Sequence, residues 1–506
     1  MSRVYKNVAY NLLGQGTVLA LGFVGVKFVY SHLGADAFGI IFFNQVLTGV
    51  LTTALELGVL STTVREVSAY FDTDIEYVRR LVRTASVFYW GVGIVLYVIV
   101  FAASPFIVRH WINLKSIDPD TATTMLRVLA VTTIIMLPRA LYSSIFQGRQ
   151  RMELNNSIDV GASAAQQVGI IVILLLGGDV YAVVAWIAIS GVLSTITYVT
   201  VAGRLIGIRA LLPTYFGEVV ARNLRFTAHM SALSVLNMVQ LQYDKLVVSK
   251  LLPIASVGYY TFSSTVVVRI SFASAAIAQA ALPSFARLHS LGEDGPLMVQ
   301  YRKLQDLISF GLVPVYAAAC FGAIPLLTYL FNRSTAFLLL IPIALLCLGY
   351  FMGATTNVPY TFSVAVGRPN IASRASVVAL FVVLPLTTVL IYTFGLIGAG
   401  SSWVAYYLFL YAYMIPSICA QCLHISVWGW YAHVARVLAL AIVTYGIAWI
   451  AIEVPGSYSI LASLIAYGAG SVLYLAGSFV LIGPDLRQTI MRIPQRLNLR
   501  KATTFS

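Results

Sequence analysis

Apolar residues in this chain neither alternate at the strand period nor keep to one stripe of a helix; they come in blocks of roughly 20 to 28 residues divided by short polar breaks. A helix needs about 20 such residues to cross a hydrocarbon layer of about 30 Å. The blocks predict about fourteen spans, at 8–32, 38–63, 84–108, 122–146, 158–176, 180–205, 226–250, 257–286, 304–330, 335–361, 372–393, 398–423, 430–452 and 458–482. Short alternating segments of the barrel kind are absent, so the expected class is an all-α integral membrane protein. The first block is too long for a signal-peptide core and no small-residue cleavage site follows it, so an uncleaved first span is expected.

Composition agrees with this class. Hydrophobic residues make up 59% and charged residues 10% of the 506, too little polar surface to cover a soluble globule. The net charge of +14 is scattered over short loops rather than gathered in one basic domain, which argues against a nucleic-acid partner. With the amino terminus inside, Arg65, Arg79, Arg80, Arg83, Arg149, Arg151, Arg204, Arg222, Arg225, Arg302, Arg368 and the tail arginines fall on the inner face. Arg109, Lys115 and Arg333 fall outside, as the positive-inside rule requires for a plasma (inner) membrane protein with both termini cytoplasmic. Cys320, Cys347, Cys419 and Cys422 lie within spans; the lone C-x-x-C reads as two small residues on one helix face, and neither a disulfide framework nor a metal site is expected. Pro138, Pro314, Pro325, Pro342, Pro359, Pro385 and Pro416 interrupt helices at membrane depth.

Two loop signatures recur with a shared offset of 219 residues (258 − 39 and 367 − 148): the turn ending at Gly39 matches that ending at Gly258, and Gly148-Arg149 matches Gly367-Arg368. Six spans separate each pair of copies, so the expected plan is two parallel six-helix lobes, 1–215 and 216–425, related by an axis along the membrane normal. A helix pair, 426–483, and a basic cytoplasmic tail, 484–506, are left over. Such two-lobed plans enclose a central cavity and work by rocking.

The candidate chemistry lies in polar residues inside the spans. A charge at the bilayer centre costs about 3 kcal/mol on insertion scales, so it is kept where it faces a wet cavity or a partner. Lys27, Arg139, Lys245 and Arg269 are such cations. Asn44, Thr48, Thr52 and Glu56 recur every four residues and share one helical face; Asn237, Gln240 and Asp244 do so at three-then-four spacing. Either stripe lines a polar cavity or hydrogen-bonds neighbouring helices. Asp244, Glu56 and Asp159 are the carboxylates nearest the membrane interior and the candidates for gating or for H+ or Na+ coupling. Asp244 and Lys245 point about 100° apart on a helix and are expected not to neutralise each other; Asp244 is expected to pair with Lys27 or Arg269. Arg127 and Asp306, near span ends, are expected to snorkel. The longest outer loop, about 109–121, holds only His110, Asp118 and Asp120 as acid–base groups, so an envelope polymerase or ligase is the least favoured reading.

Asp244-Lys245 followed by Val257-Gly258-Tyr259-Tyr260, Leu33-Gly34 through Phe38-Gly39 with Leu57-Gly58, Leu282-Pro283-Ser284-Phe285, and the two Gly-Arg turns resemble the polysaccharide-biosynthesis flippases often called Wzx. These belong to the multidrug/oligosaccharidyl-lipid/polysaccharide exporter superfamily. The resemblance implies two six-helix lobes in alternating access that carry a polyprenyl-diphosphate-linked oligosaccharide to the outer leaflet, without a cofactor, alongside membrane lipid and envelope polysaccharide synthesis proteins. It also implies that span-one and span-eight cations, here Lys27 and Arg269, face the cavity. From the residues themselves, Arg139 is a deeper candidate for the diphosphate and the two polar stripes are candidates for the glycan. A lipid II flippase shares charge and span count. A multidrug/cation antiporter calls instead for an acidic cavity, whereas this one is net basic.

Overall fold

In the computed structural model, residues 2–56, 58–456, 458–488 and 491 are described; the side chains of residues 2–15, 19–20, 53–56, 229–230, 232–233 and 237 lie outside that description. The chain is helical throughout, with one isolated bridge between Asn113 and Pro253 among the described residues. Twelve helical segments, from Gly16–Thr52 to Ile460–Leu481, are long and apolar enough to cross a membrane among the described residues. Most of the expected basic tail falls outside them.

Contacts divide the chain into two units, Met1–Thr261 and Phe262–Ser506. The first unit contains α1 (Ser2–Glu56), α2 (Val59–Tyr70), α3 (Ile75–Phe106), α4 (Pro119–Met136), α5 (Pro138–Gly148), α6 (Met152–Leu175), α7 (Val180–Ile206) and α8 (Gly217–Leu251). The boundary falls inside α9 (Ile254–Ser290). The second unit continues with α10 (Asp294–Gly311), α11 (Val313–Leu330), α12 (Arg333–Ala365), α13 (Asn370–Phe394), α14 (Leu396–Ile418), α15 (Val427–Glu453) and α16 (Ile460–Leu481). Within the first unit α1 packs on α6 and α8, and α7 packs on α4 and α6; within the second, α14 lies between α12 and α13 while α16 covers α11 and α15.

The breaks have local causes. The expected loop between the first two spans is instead a kink within α1, at Gly34, where φ is 82° and ψ 178°, a conformation that favours glycine. Gly58, with φ 70°, separates the second arm from α2. Pro138 removes a helical N–H and splits the fourth block into α4 and α5, and Thr195 Oγ of α7 donates to the Ile135 carbonyl there, 3.3 Å. Pro314 likewise splits the ninth block into α10 and α11. The hydroxyls of Tyr474 and Tyr467 on α16 reach the Phe310 and Pro314 carbonyls at that break, 3.2 and 3.1 Å. Pro325, Pro342, Pro359, Pro385 and Pro416 stay inside helices.

One repeat landmark shifts register. Arg151 and Gln150 donate to Phe146 and Gln147, and Arg368 and Gly367 donate to Ser363 and Val364 in the same five-back, three-back pattern. The left-handed residue of the first turn is therefore Gln150 (φ 55°), matching Gly367 (φ 79°), two residues beyond the expected Gly148. Gly148 instead lets α5 close on α2, since a Cβ there would come within 2.7 Å of Val67 and 3.1 Å of the Val64 carbonyl.

Candidate functional site

Arg139 follows the Pro138 break, and its guanidinium reaches across to α6, where Asp159 Oδ1 accepts at 2.8 Å. Tyr198 of α7 donates its hydroxyl to the same carboxylate oxygen at 2.9 Å, and the guanidinium lies over the Tyr198 ring, 5.0 Å from its centroid. Three helices thus converge on one charge pair inside the first unit. The Arg139 side chain is 19% exposed, whereas that of Asp159 is 46% exposed. The exposed positions of α6 include a stripe through Gly161, Ala165, Val168 and Val172, and Asp159 lies about 120–180° from them around the helix. A carboxylate that open, away from the apolar stripe, calls for water or a polar ligand beside it.

Asp159 is one member of a polar face that the sequence reading overlooked: Asn156, Asp159, Ser163 and Gln166, all half-buried, at helical spacing on α6. Their three-, four- and three-residue intervals were the available signal.

A second pair occupies α8. Lys245 and Asp244 are 8% and 4% exposed. The expectation that they stay apart is overturned: Lys245 Nζ lies 3.2 Å from Asp244 Oδ1 and donates to the Leu241 carbonyl at 2.6 Å. A long flexible stem lets the ammonium fold back along its own helix, which an angle between Cα–Cβ bonds ignores. The other oxygen of Asp244 accepts from the Tyr260 hydroxyl at 2.6 Å. Both pairs are therefore internally neutral and buttressed by a tyrosine.

The other expected residues are more dispersed. Lys27 of α1 and, in the second unit, Arg269 of α9 are half-buried within apolar helices. Asn44, Thr48 and Thr52 follow the second arm of α1; Thr48 hydrogen-bonds the Asn44 carbonyl and Thr133 Oγ of α4, both at 2.8 Å, so it joins helices. Gln240 is half-buried on α8. The side chains of Glu56 and Asn237 lie outside the described residues. Arg127 lies 4.3 Å from the Phe101 ring centroid and donates to Ser104 Oγ at 3.0 Å. Asp306 does not snorkel: it is half-buried, accepts from the Gly483 N–H at 2.8 Å and lies 3.7 Å from His433 Nδ1.

At its arginine-rich end the first unit carries a further network. Glu66 Oε1 accepts from Arg65 at 2.8 Å, Oε2 from Tyr77 at 2.8 Å, and Arg222 of α8 stands 3.8 Å away. Arg65 and Tyr77 both hydrogen-bond Asn223 of α8, and Thr62 bonds Thr227.

A family model described as "Polysaccharide biosynthesis protein" matches residues 4–289. A Shigella flexneri protein that carries the name of a candidate O-antigen transporter is 21% identical over 413 residues, which is 79% of this chain and 94% of its own. Among solved structures, the lipid II flippase MurJ in an inward closed conformation superposes with a TM-score of 0.69 at 11% identity, over 94% of this chain and 98% of that one. A multidrug resistance MATE family transporter of the MOP superfamily, inward-facing, gives 0.66 at 15% identity, over 80% and 95%.

Proposed function

The chain belongs to the polysaccharide biosynthesis protein family, and from that premise we propose that it is a flippase moving a polyprenyl-diphosphate-linked oligosaccharide from the inner to the outer leaflet by alternating access. Its fold is that of the MOP exporters, and its relatives are transporters rather than enzymes. The cargo combines an isoprenoid that is at home in lipid with a diphosphate and a glycan that are not. Intramembrane cations, Lys27 and Arg139 in the first unit and Arg269 in the second, serve the diphosphate; a guanidinium suits it best because its fork binds phosphate oxygens in pairs. Amides and hydroxyls along α1, α6 and α8 serve the glycan. On this reading the crossings number fourteen, the arms of α1 on either side of Gly34 being counted separately and α8 being added to the twelve apolar segments among the described residues.

The observation that carries this reading is Arg139, inside an apolar block and 2.8 Å from a carboxylate whose side chain is 46% exposed. A diphosphate entering there competes with Asp159 for the guanidinium, so the cation has a protein partner when the site is empty and a phosphate partner when it is engaged. Coupling to H+ or Na+ at Asp159 or Asp244 would have to displace a basic partner already in place. The test is a flipping assay in proteoliposomes, with a fluorescent polyprenyl-diphosphate oligosaccharide whose outer-leaflet pool is cleaved by an added glycosidase. Transport faster than in protein-free vesicles, not competed by a cationic dye, is expected; dye transport without glycolipid transport would refute the reading and favour an antiporter.

A further inference from the structure

The segment between α3 and α4, residues 107–118, lies at the end of the first unit away from the Glu66 network, and it is fastened on two sides. On one side Asp36, just past the Gly34 kink and 3% exposed, receives four donors on one oxygen: the Lys115, Ser116 and Ile117 N–H groups at 2.7, 2.6 and 3.4 Å and Ser116 Oγ at 3.0 Å. Consecutive backbone N–H groups wrapped around a carboxylate form an anion nest, filled here by the chain's own acid. On the other side Asn113 accepts from the Ile254 N–H at 3.0 Å and donates to the Lys250 carbonyl at 3.2 Å. Trp111 Nε1 donates to Ser249 Oγ at 2.9 Å, and Lys250 Nζ donates to the His110 carbonyl at 2.6 Å.

Beneath this segment the two turns meet backbone to backbone. A Cβ on Gly39 would collide with the Ile254 carbonyl, and one on Gly258 would come within 2.5 Å of the Phe38 ring and 3.2 Å of Gly39 Cα. The glycines that mark the sequence repeat are thus pressed together, with the Tyr30 and Tyr259 hydroxyls 3.0 Å apart beside them.

We propose that residues 107–118 are a strap that latches the α1 kink to the α8–α9 turn, with Asp36 as its pin, and that the strap must detach for this end of the first unit to open. The inference rests on the alternating-access reading above. Its bonds are polar and made largely by loop backbone, which water satisfies when the parts separate, so the latch can open and reform. Glycines at the contact make closure possible, and any side chain there obstructs it. The closure at the opposite end hangs on Arg65 and Arg222, whose side chains are 44% and 46% exposed.

The test uses the full-length protein in nanodiscs with its four cysteines replaced and one reporter thiol at a time. Ser249→Cys reports beneath the strap, and Thr62→Cys reports at the opposite end; both residues are buried. Asp36→Asn and, separately, Gly39→Val are expected to raise maleimide labelling at position 249 by about tenfold or more, leaving position 62 unchanged. Unchanged labelling at 249 in both variants, or an equal rise at both reporters, overturns the proposal. The readout needs no substrate, so failure to bind glycolipid would sink the functional reading and leave the strap standing, and the reverse.

Discussion

The Arg139–Asp159 pair makes the sharpest prediction, because its two halves should act on cargo binding with opposite signs. Arg139→Gln removes a charge-assisted hydrogen bond, worth about 1.5–3 kcal/mol, and a ring contact worth about 0.5–1 kcal/mol. Breaking a fully buried pair costs about 3–5 kcal/mol, but Asp159 is 46% exposed and keeps its bond from Tyr198, so about 2 kcal/mol of stability is the expected loss. If the guanidinium also grips the diphosphate, affinity falls by about 10- to 150-fold, the equivalent of one such bond. Asp159→Asn lowers stability too, by a similar or smaller amount, yet it removes the group that competes with phosphate, so cargo binds tighter. The assay is scintillation proximity or microscale thermophoresis of a labelled polyprenyl diphosphate on purified variants, with thermal unfolding of the same samples. Arg139→Gln and Asp159→Asn weakening binding together, in step with their loss of stability, would refute the competition and leave the pair a brace between α5 and α6.

Three further outcomes follow from the packing and the turns. Gln150→Gly relieves a left-handed residue that the matching turn fills with Gly367, so the unfolding midpoint should rise, by the equivalent of about 0.5–1 kcal/mol; a fall would contradict the turn assignment. Gly353→Ala drives a Cβ into the Tyr407 ring and should cost about 1–3 kcal/mol by thermal unfolding, while Gly353→Ala combined with Tyr407→Leu should recover much of it. Tyr474→Phe strips the Phe310 carbonyl of its partner at the Pro314 break and should lower the unfolding midpoint by the equivalent of about 1 kcal/mol; an unchanged midpoint would mean the carbonyl finds another donor.

Much of the architecture could be read from length alone, because a helix in lipid must be apolar for the full thickness of the bilayer, and blocks such as 372–393 have one solution. The break between the first two spans could be placed too, but not its form: only the folded chain shows that Gly34 bends one continuous helix instead of opening a loop. The charges split the same way. Lys27, Arg139 and Arg269 stand out because each interrupts an apolar block, whereas the partners of Arg139 come from residues 20 and 59 positions away, a pairing set by the packing of α5, α6 and α7 rather than by any local pattern. Asp36 looked like part of an ordinary loop motif, since nothing near it in sequence announces the three N–H groups of residues 115–117. Lys245 shows the limit of helical-wheel reasoning for a side chain long enough to turn back on its own helix.

The central claim is that basic side chains inside the spans hold a diphosphate. Its most direct test is equilibrium binding of one oligosaccharide on a polyprenyl diphosphate, on a polyprenyl monophosphate and on an uncharged polyprenyl ether, to the parent protein and to Lys27→Gln and Arg269→Gln. The account predicts that affinity falls in that order of carriers and that each substitution narrows the gap between diphosphate and ether. Equal affinity for all three carriers, or substitutions that weaken the three alike, would contradict it.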